Sequence, residues 1–433
     1  MRVLLVNPPV YDFALHDFWL KPYGLLRIAS SLKKNRIPFV FFDFLSREHR
    51  FYQSIASKSD AYGRGKYYFE EAKKPEVLSF VPRKFKRYGI PLAVFLNETA
   101  NENFDYIFIT TGMTYWYPGV KEIIDIAKLK WPTSKIVIGG IAATLMPDFY
   151  KELGADIVVE GDGWESLQKE GFDMDPASEI PDYDVYEQLR YAVVRVTEGC
   201  PLRCAYCASY KIKPKFRVLD VEQLAKVVVD LYYKKNVCDF VFYDDALLYN
   251  FHEGLYAFFR ALERFGIIGK VRFHTPNALH VRKIDAEIAE FLKITGFETI
   301  YLGVETVNSD LLKSIGEKLS FQDFRRAIDN LLKAGFSLHQ ITAYLFLGVP
   351  GQQIVDIEDS IKTISSYGVK ISLSEFSPIP GTPIGDRVIR EYNHKDPLLT
   401  NNSVFPIILY GYDQVNRLKN IKNQLMRQMG FST

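Results

Sequence analysis

Two separate runs of alternating strand-like and helix-like segments restrict the folds open to this chain more than any other feature. In the first, short β-branched and aromatic stretches occur at Arg2 to Val6, Phe39 to Phe44, Tyr106 to Thr110, Ile136 to Ile138 and Ile157 to Val159. Between them lie helical patterns, among them Leu25, Leu26, Ile28, Ala29 and Leu32, and the stretch Val120 to Leu129. Strands that alternate with helices are joined by crossovers, so they pair in parallel and are covered on both faces. Residues 1–170 are therefore expected to form a doubly wound, Rossmann-like α/β domain. Ligands of such sheets bind beyond the carboxyl ends of the strands. There the sequence places Asn7-Pro8-Pro9, Thr110-Thr111-Gly112, Gly139-Gly140 and Glu160-Gly161-Asp162-Gly163, small residues that let a bulky ligand approach the backbone.

Residues 46–103, between the second and third strands, exceed what this fold needs and read as an insertion. From Lys58 to Arg87 it carries nine Lys/Arg against four Asp/Glu, interleaved with Tyr62, Tyr67, Tyr68, Phe69, Phe80, Phe85 and Tyr88. Such a mixture suits an anionic or nucleobase-bearing ligand. The more frequent outcome is a solvated helix pair packing its aromatics on the sheet, and that is the expectation. Residues 171–190 are acidic and proline-punctuated, and read as a linker.

The second run supplies strands at Tyr191 to Val196, Asp239 to Tyr243, Val271 to His274, Thr299 to Val304, Ile341 to Leu347 and Lys370 to Glu375, with helices between them. Six such units suit a partial βα barrel over 191–380, whose sites lie at the carboxyl ends of the strands. Residues 381–433 form a C-terminal extension with a helix expected at Asp413 to Met429.

Length and charge exclude several classes. At 433 residues the chain is long enough for two or three domains, and 48% hydrophobic with 24% charged residues is ordinary globular composition. A net charge of +2 gives no global case for nucleic acid or an anionic membrane. No apolar stretch reaches about 18 residues, and the MRVLLVNPPV start is too short for a signal peptide, so a cytoplasmic protein is expected.

Three of the four cysteines fall in TEGCPLRCAYCASY, residues 197–210, spaced C-x3-C-x2-C at the end of the first barrel strand. Three thiolates from one loop can hold three irons of a 4Fe-4S cubane and leave the fourth without a protein ligand. A structural zinc would need a fourth donor, such as Cys238 or a distant histidine.

This motif, with the aromatic Tyr206 just before its last cysteine, resembles the signature of the radical S-adenosylmethionine superfamily. The resemblance implies that Cys200, Cys204 and Cys207 ligate the cluster, that S-adenosylmethionine chelates the open iron, and that its reductive cleavage yields a 5'-deoxyadenosyl radical. It implies that Tyr206 lies against the adenine. The remaining cofactor contacts are expected at the other strand ends: Asp244, with Asp245 beside it, after the second, Asn277 after the third and Glu305 after the fourth. His274 is expected to be a packed, hydrogen-bonded histidine.

The stretches VNPP, PYGLLRIASSL, ITTGMT, VIGGIAATLMPD and VVEGDG extend the resemblance to the subclass with an N-terminal cobalamin-binding domain. They imply cobalamin contacts at Pro8, Thr111, Gly139, Gly140, Glu160 and Gly161, and transfer of a methyl group to an unactivated centre. The sequence departs from the cobalamin pattern in lacking an Asp-x-His-x-x-Gly motif and in placing Ile141 where relatives often have histidine. Two other functions are compatible with the residues. One is a cobalamin-independent radical enzyme whose first domain serves substrate binding or architecture. The other is a non-catalytic iron-sulfur or zinc protein. The expected partners are a small-molecule substrate and an electron donor such as a flavodoxin or ferredoxin, with no nucleic acid and no membrane.

Overall fold

The computed structural model describes residues 1–55, 58–161, 164–173, 180–316 and 319–431. Asp162, Gly163 and residues 174–179 of the expected linker lie outside the described residues. The chain divides into two units, Met1–Ala192 with Asp396–Leu398, and Val193–Lys395 with Leu399–Thr433.

The first unit is built on five strands: β1 (Val3–Asn7), β2 (Phe39–Asp43), β3 (Tyr106–Thr111), β4 (Lys135–Gly140) and β5 (Ile157–Val159). Their order is β5-β4-β3-β1-β2 and every pairing is parallel. Strand order reverses between β1 and β3, the point at which doubly wound sheets open a crevice for a ligand. Leu4, Val6, Ile107 and Ile109 face one apolar layer, and Val3, Leu5 and Phe108 the other. This division is the pleat of strands covered on both sides.

Contrary to expectation, the basic, aromatic stretch is not a helix pair. Phe69–Glu71, Lys86–Tyr88 and Val10–Asp12 form an antiparallel ladder, and His16–Asp17 pairs with Gly65–Lys66. Aromatic-rich segments favour a pleated surface, and Tyr67, Phe85 and Tyr88 are buried in it. Among the described residues, three of its nine cations are paired with carboxylates, as Arg64–Asp60, Lys84–Glu71 and Arg87–Glu122.

The described part of the linker stretch is fastened to the first unit. Tyr186 Oη donates to Asp43 at 2.6 Å and Tyr191 Oη to Asp17 at 2.7 Å. Between the two rings sits the buried ammonium of Lys21, 4.6 and 4.8 Å from their centroids and 2.9 Å from Glu48. A buried ammonium is tolerated when carboxylates and π-faces replace its water.

A second sheet holds six strands in chain order, the first of which starts in the last two residues of the first unit: β6 (Tyr191–Val194), β7 (Asp239–Phe242), β8 (Arg272–His274), β9 (Phe297–Glu305), β10 (Ile341–Leu347) and β11 (Lys370–Glu375). From β7 onward each pairs in parallel with the next. The open edges at β6 and β11 make this a partial barrel. Under the sheet, Phe242 stacks on Phe273 and Phe297 at 5.6 and 5.5 Å. Each such buried ring contributes roughly 1.5–3 kcal/mol by burial. The terminal helix spans Tyr412–Gln428. Among the described residues no helix is long and apolar enough to cross a membrane.

Candidate functional site

The cysteine loop leaves the carboxyl end of β6 and is closed at its base. Thr197–Glu198 pairs antiparallel with Arg217–Val218, and the buried Glu198 carboxylate meets Arg217 at 2.6 Å. Asp244, just past β7, fixes this stem from below: its Oδ1 accepts from the Val196 and Thr197 amides and the Thr197 hydroxyl at 2.9, 2.5 and 2.8 Å. Its Oδ2 is buried with no partner among the described residues, and burial pushes the carboxyl up to about 7. Farther along, Ala205 N bonds Ile315 O, and Ile384 N bonds Ala205 O. Gly316, at φ +125°, lies so close that a Cβ there would stand 3.1 Å from Cys204 Cα.

Held this way, Cys200, Cys204 and Cys207 line one cavity of 230 Å³ together with Leu202, Ser209, Asp245, Asn277 and His280. Ser209 braces Cys207, with Oγ 3.2 Å from Sγ. His280 Nε2 is 4.0 Å from Cys200 Sγ. Burial pushes the Cys200 thiol up to about 11, which a bound metal would reverse by favouring the thiolate. Among the described residues no three His, Cys, Asp or Glu side chains converge tightly enough to hold a single ion. A mononuclear zinc asks for such convergence, whereas a cubane takes one thiolate per iron. Cys238 precedes β7, at the opposite strand end from the loop, and leans on Asn236 O at 3.8 Å. The three thiols at one cavity therefore fit a 4Fe-4S cluster with an open iron.

The other expected residues take distinct places. Asp245, not Asp244, lines the cavity, 3.9 Å from Arg195. Asn277 lines it too and reaches the Asp244 carbonyl at 3.4 Å. Tyr206 donates to Glu305 Oε1 at 2.9 Å and packs edge-on against Phe346 at 4.8 Å. Glu305 follows a register shift in β9 and adopts φ +68°, a left-handed conformation costly for a non-glycine residue and characteristic of functional sites. His274 is fully engaged, with Asp239 at 2.9 Å and Thr299 at 3.0 Å. Sequence reasoning missed His280 and Ser209. Ser209 had a detectable signal in its place two residues after Cys207, whereas His280 had none.

In the first unit the strand ends form a second candidate site. Pro8 and Thr111 are buried, Gly140, Glu160 and Gly161 are exposed, and Gly139 is intermediate. Thr111 Oγ1 donates to Gly139 O at 2.9 Å and accepts from Ala143 N at 3.0 Å. Thr144 Oγ1 donates to Gly140 O and accepts from Gly161 N, so the ends of β4 and β5 are tied together. Gly119 presses the helix Tyr117–Lys130 onto the loop after β1, where a Cβ would meet Pro9 O at 1.7 Å. Beside this glycine-bare edge the apolar side chains of Met113 and Ile141 stand 44% and 47% exposed. Exposed apolar groups flanking open backbone suit the face of a corrin, and the Ile141 side chain itself offers no ligand atom to cobalt.

Comparison with known proteins matches a domain profile within each unit. The Radical SAM superfamily profile matches residues 194–364 and the B12 binding domain profile residues 88–169. Threonylcarbamoyladenosine tRNA methylthiotransferase MtaB of Thermotoga maritima is 25% identical over 61% of this chain and 64% of its own. The anaerobic magnesium-protoporphyrin IX monomethyl ester cyclase of Cereibacter sphaeroides is 22% identical over 64% of this chain and 52% of its own. The chain thus spans between half and two thirds of these relatives. The methyltransferase TsrM of Kitasatospora setae, solved with cobalamin and a [4Fe-4S] cluster, superposes with a TM-score of 0.66 at 16% identity, covering 90% of this chain and 78% of that one. The cobalamin-dependent radical enzyme OxsB superposes at 0.59 with 12% identity, over 100% of this chain and 61% of that one. These likenesses establish the fold. The chain thus carries a radical SAM domain over residues 194–364, with the C-x3-C-x2-C loop at the carboxyl end of β6, preceded by a B12 binding domain over residues 88–169.

Proposed function

We propose that this protein is a cobalamin-dependent radical S-adenosylmethionine enzyme that methylates an unactivated centre of a small molecule. The observation that carries the proposal is the three-thiol cavity at the carboxyl end of the second sheet, in a chain whose first sheet exposes an apolar, glycine-bare edge at the same end of its strands. When bound, the cluster with S-adenosylmethionine supplies a 5'-deoxyadenosyl radical, and cobalamin supplies a transferable methyl group.

The chain's own residues prepare the site. Cys200, Cys204 and Cys207 hold the cluster, and Asp245 and Asn277 offer polar groups to the amino acid portion of S-adenosylmethionine. The Tyr206–Glu305 pair orients the adenosine end, because a hydroxyl donating to a carboxylate fixes both side chains. Leu202, Leu279, Val281 and Leu319 close the cavity with apolar walls that keep water from a reactive species. The relatives named above act on tRNA and on a porphyrin ester, so shared chemistry rather than a shared substrate is what transfers. A flavodoxin or ferredoxin as reductant and a cytoplasmic setting belong to the same proposal, in line with four free thiols.

The test is anaerobic incubation of cluster-loaded protein with S-adenosylmethionine, dithionite and hydroxocobalamin, with products identified by mass spectrometry. Formation of 5'-deoxyadenosine together with S-adenosylhomocysteine is expected. If only 5'-deoxyadenosine forms, methylation is refuted and the radical half stands. If neither forms, the whole reading fails.

A further inference from the structure

A radical cluster must be reduced from outside, so some face of the second unit near the cysteines has to receive an electron donor. We propose that the basic margin of the cysteine loop, formed by Lys211, Lys215 and Lys283, is the docking surface for an acidic protein that carries a low-potential one-electron donor. The proposal rests on the radical reading above.

Charge is the first argument. Between Glu198 and Asp220 the sequence holds Arg203, Lys211, Lys213, Lys215 and Arg217 and no acidic residue. Glu198 takes up Arg217 at 2.6 Å and faces Lys213 at 3.8 Å. Lys211, Lys215 and Lys283 are exposed, and none of the three forms an ion pair among the described residues. A one-signed margin of this kind attracts and orients an oppositely charged protein.

Proximity to the ligand is the second. Gly199, at φ +77°, sits against the lysine segment so closely that a Cβ would stand 2.6 Å from Lys215 O and 3.0 Å from Lys213 O. The margin therefore packs directly on the residue before Cys200.

A contact path is the third, and it is independent of charge. His280 Nε2 lies 4.0 Å from Cys200 Sγ, the His280 ring meets Tyr249 edge-on at 5.1 Å, and Lys283 Nζ stands 4.6 Å over the Tyr249 face. Phe216 adds a further ring 6.3 Å from Tyr249. Electron tunnelling decays exponentially with gap, so a run of touching groups from an exposed cation to a cluster ligand marks the favoured entry. An RNA would use exposed cations and aromatics, but it would have no use for a path that ends on a ligand thiol.

The step is one electron only: the donor's reduced flavin or iron-sulfur centre is oxidised by one electron, the cluster is reduced by one, and no bond forms or breaks. The experiment mixes cluster-loaded protein with an acidic flavodoxin in its hydroquinone form in a stopped-flow instrument, for the wild type and for the triple variant Lys211→Glu, Lys215→Glu, Lys283→Glu. The second-order rate at low salt is expected to fall by about tenfold or more, with a flatter salt dependence. Calorimetric affinity for oxidised flavodoxin should weaken in parallel. S-adenosylmethionine cleavage driven by excess dithionite should stay at the wild-type level. Equal flavodoxin rates and affinities in both proteins overturn the docking surface. So does loss of binding to a bulk tRNA mixture alongside unchanged flavodoxin kinetics, which would assign the margin to nucleic acid. Failure of the wild type to cleave S-adenosylmethionine with dithionite overturns instead the radical reading on which the proposal stands.

Discussion

Gly316→Ala tests whether the cysteine loop is held in place by its neighbours or merely lies against them. Gly316 ends the helix Ser309–Ile315 at φ +125° and ψ +10°, where an L-residue is strained by about 1–3 kcal/mol. A methyl group there would stand 3.1 Å from Cys204 Cα, tighter than an ordinary contact, and 3.5 Å from its Cβ and Sγ, at ordinary contact distance. Strain and crowding act on the same segment, since Ile315 O also accepts from Ala205 N. If about 2 kcal/mol falls on the docked loop, its equilibrium with an undocked form shifts roughly thirtyfold. Gly335→Ala is the control: it imposes a similar penalty at φ +93°, but its Cβ would meet nothing closer than Lys293 Cε at 3.8 Å. Iron and acid-labile sulfide per chain after anaerobic reconstitution, with the thermal unfolding midpoint, are the readouts. Gly316→Ala is expected to lose about half its iron or more, whereas Gly335→Ala loses stability and keeps its iron. Full iron in Gly316→Ala, or an equal loss in both variants, would refute the reasoning.

Other substitutions probe single features. Asp244 holds a proton in the native state up to about pH 7 that the unfolded chain releases near 3.8, so its contribution to stability is complete below 3.8 and is lost as pH rises through 7. Asp244→Asn, which keeps an acceptor for the stem amides, should therefore be more stable than wild type at about pH 8, read by denaturant unfolding. Burial lowers His394, whose ring nitrogens have no partner among the described residues, so its contribution is present above the unfolded value of 6.5 and is lost as pH falls below it. His394→Leu should flatten the acid-side fall in unfolding midpoint as pH drops below 6.5. Tyr206→Phe removes the 2.9 Å bond to Glu305 but keeps the ring on Phe346. It should cost about 1–2 kcal/mol and weaken S-adenosylmethionine binding to the cluster-loaded protein, measured by calorimetry. An unchanged affinity would remove the pair from the cofactor site.

Both sheets were legible in the sequence because parallel strands covered on two faces appear as apolar runs, as in Tyr191–Val194 and Phe240–Phe242, every residue of which is buried. The cysteine loop was legible from spacing alone. The insertion was not, because Lys86–Tyr88 pairs with Val10–Asp12 far away along the chain, and no local pattern encodes a distant partner. The choice between Asp244 and Asp245 failed for a finer reason. Neighbouring residues at a strand end face opposite ways, so the motif located the pair without giving its phase. His280 sits on a loop where a lone histidine carries no periodic signal, and the left-handed backbone of Glu305 follows from a register shift that only strand pairing reveals.

The assignment of Asp396–Leu398 to the first unit, where Asp396 accepts from the Tyr117 hydroxyl at 3.2 Å, bears on how the chain is made. On a ribosome the five strands of the first sheet emerge early, yet that unit lacks its last segment until the whole second sheet has been synthesised. The N-terminal unit thus spends most of translation unfinished, and a nascent chain stopped at residue 380 would carry it without that segment. Limited proteolysis of arrested chains ending before and after residue 398 would show the first unit gaining protection late, in step with the second.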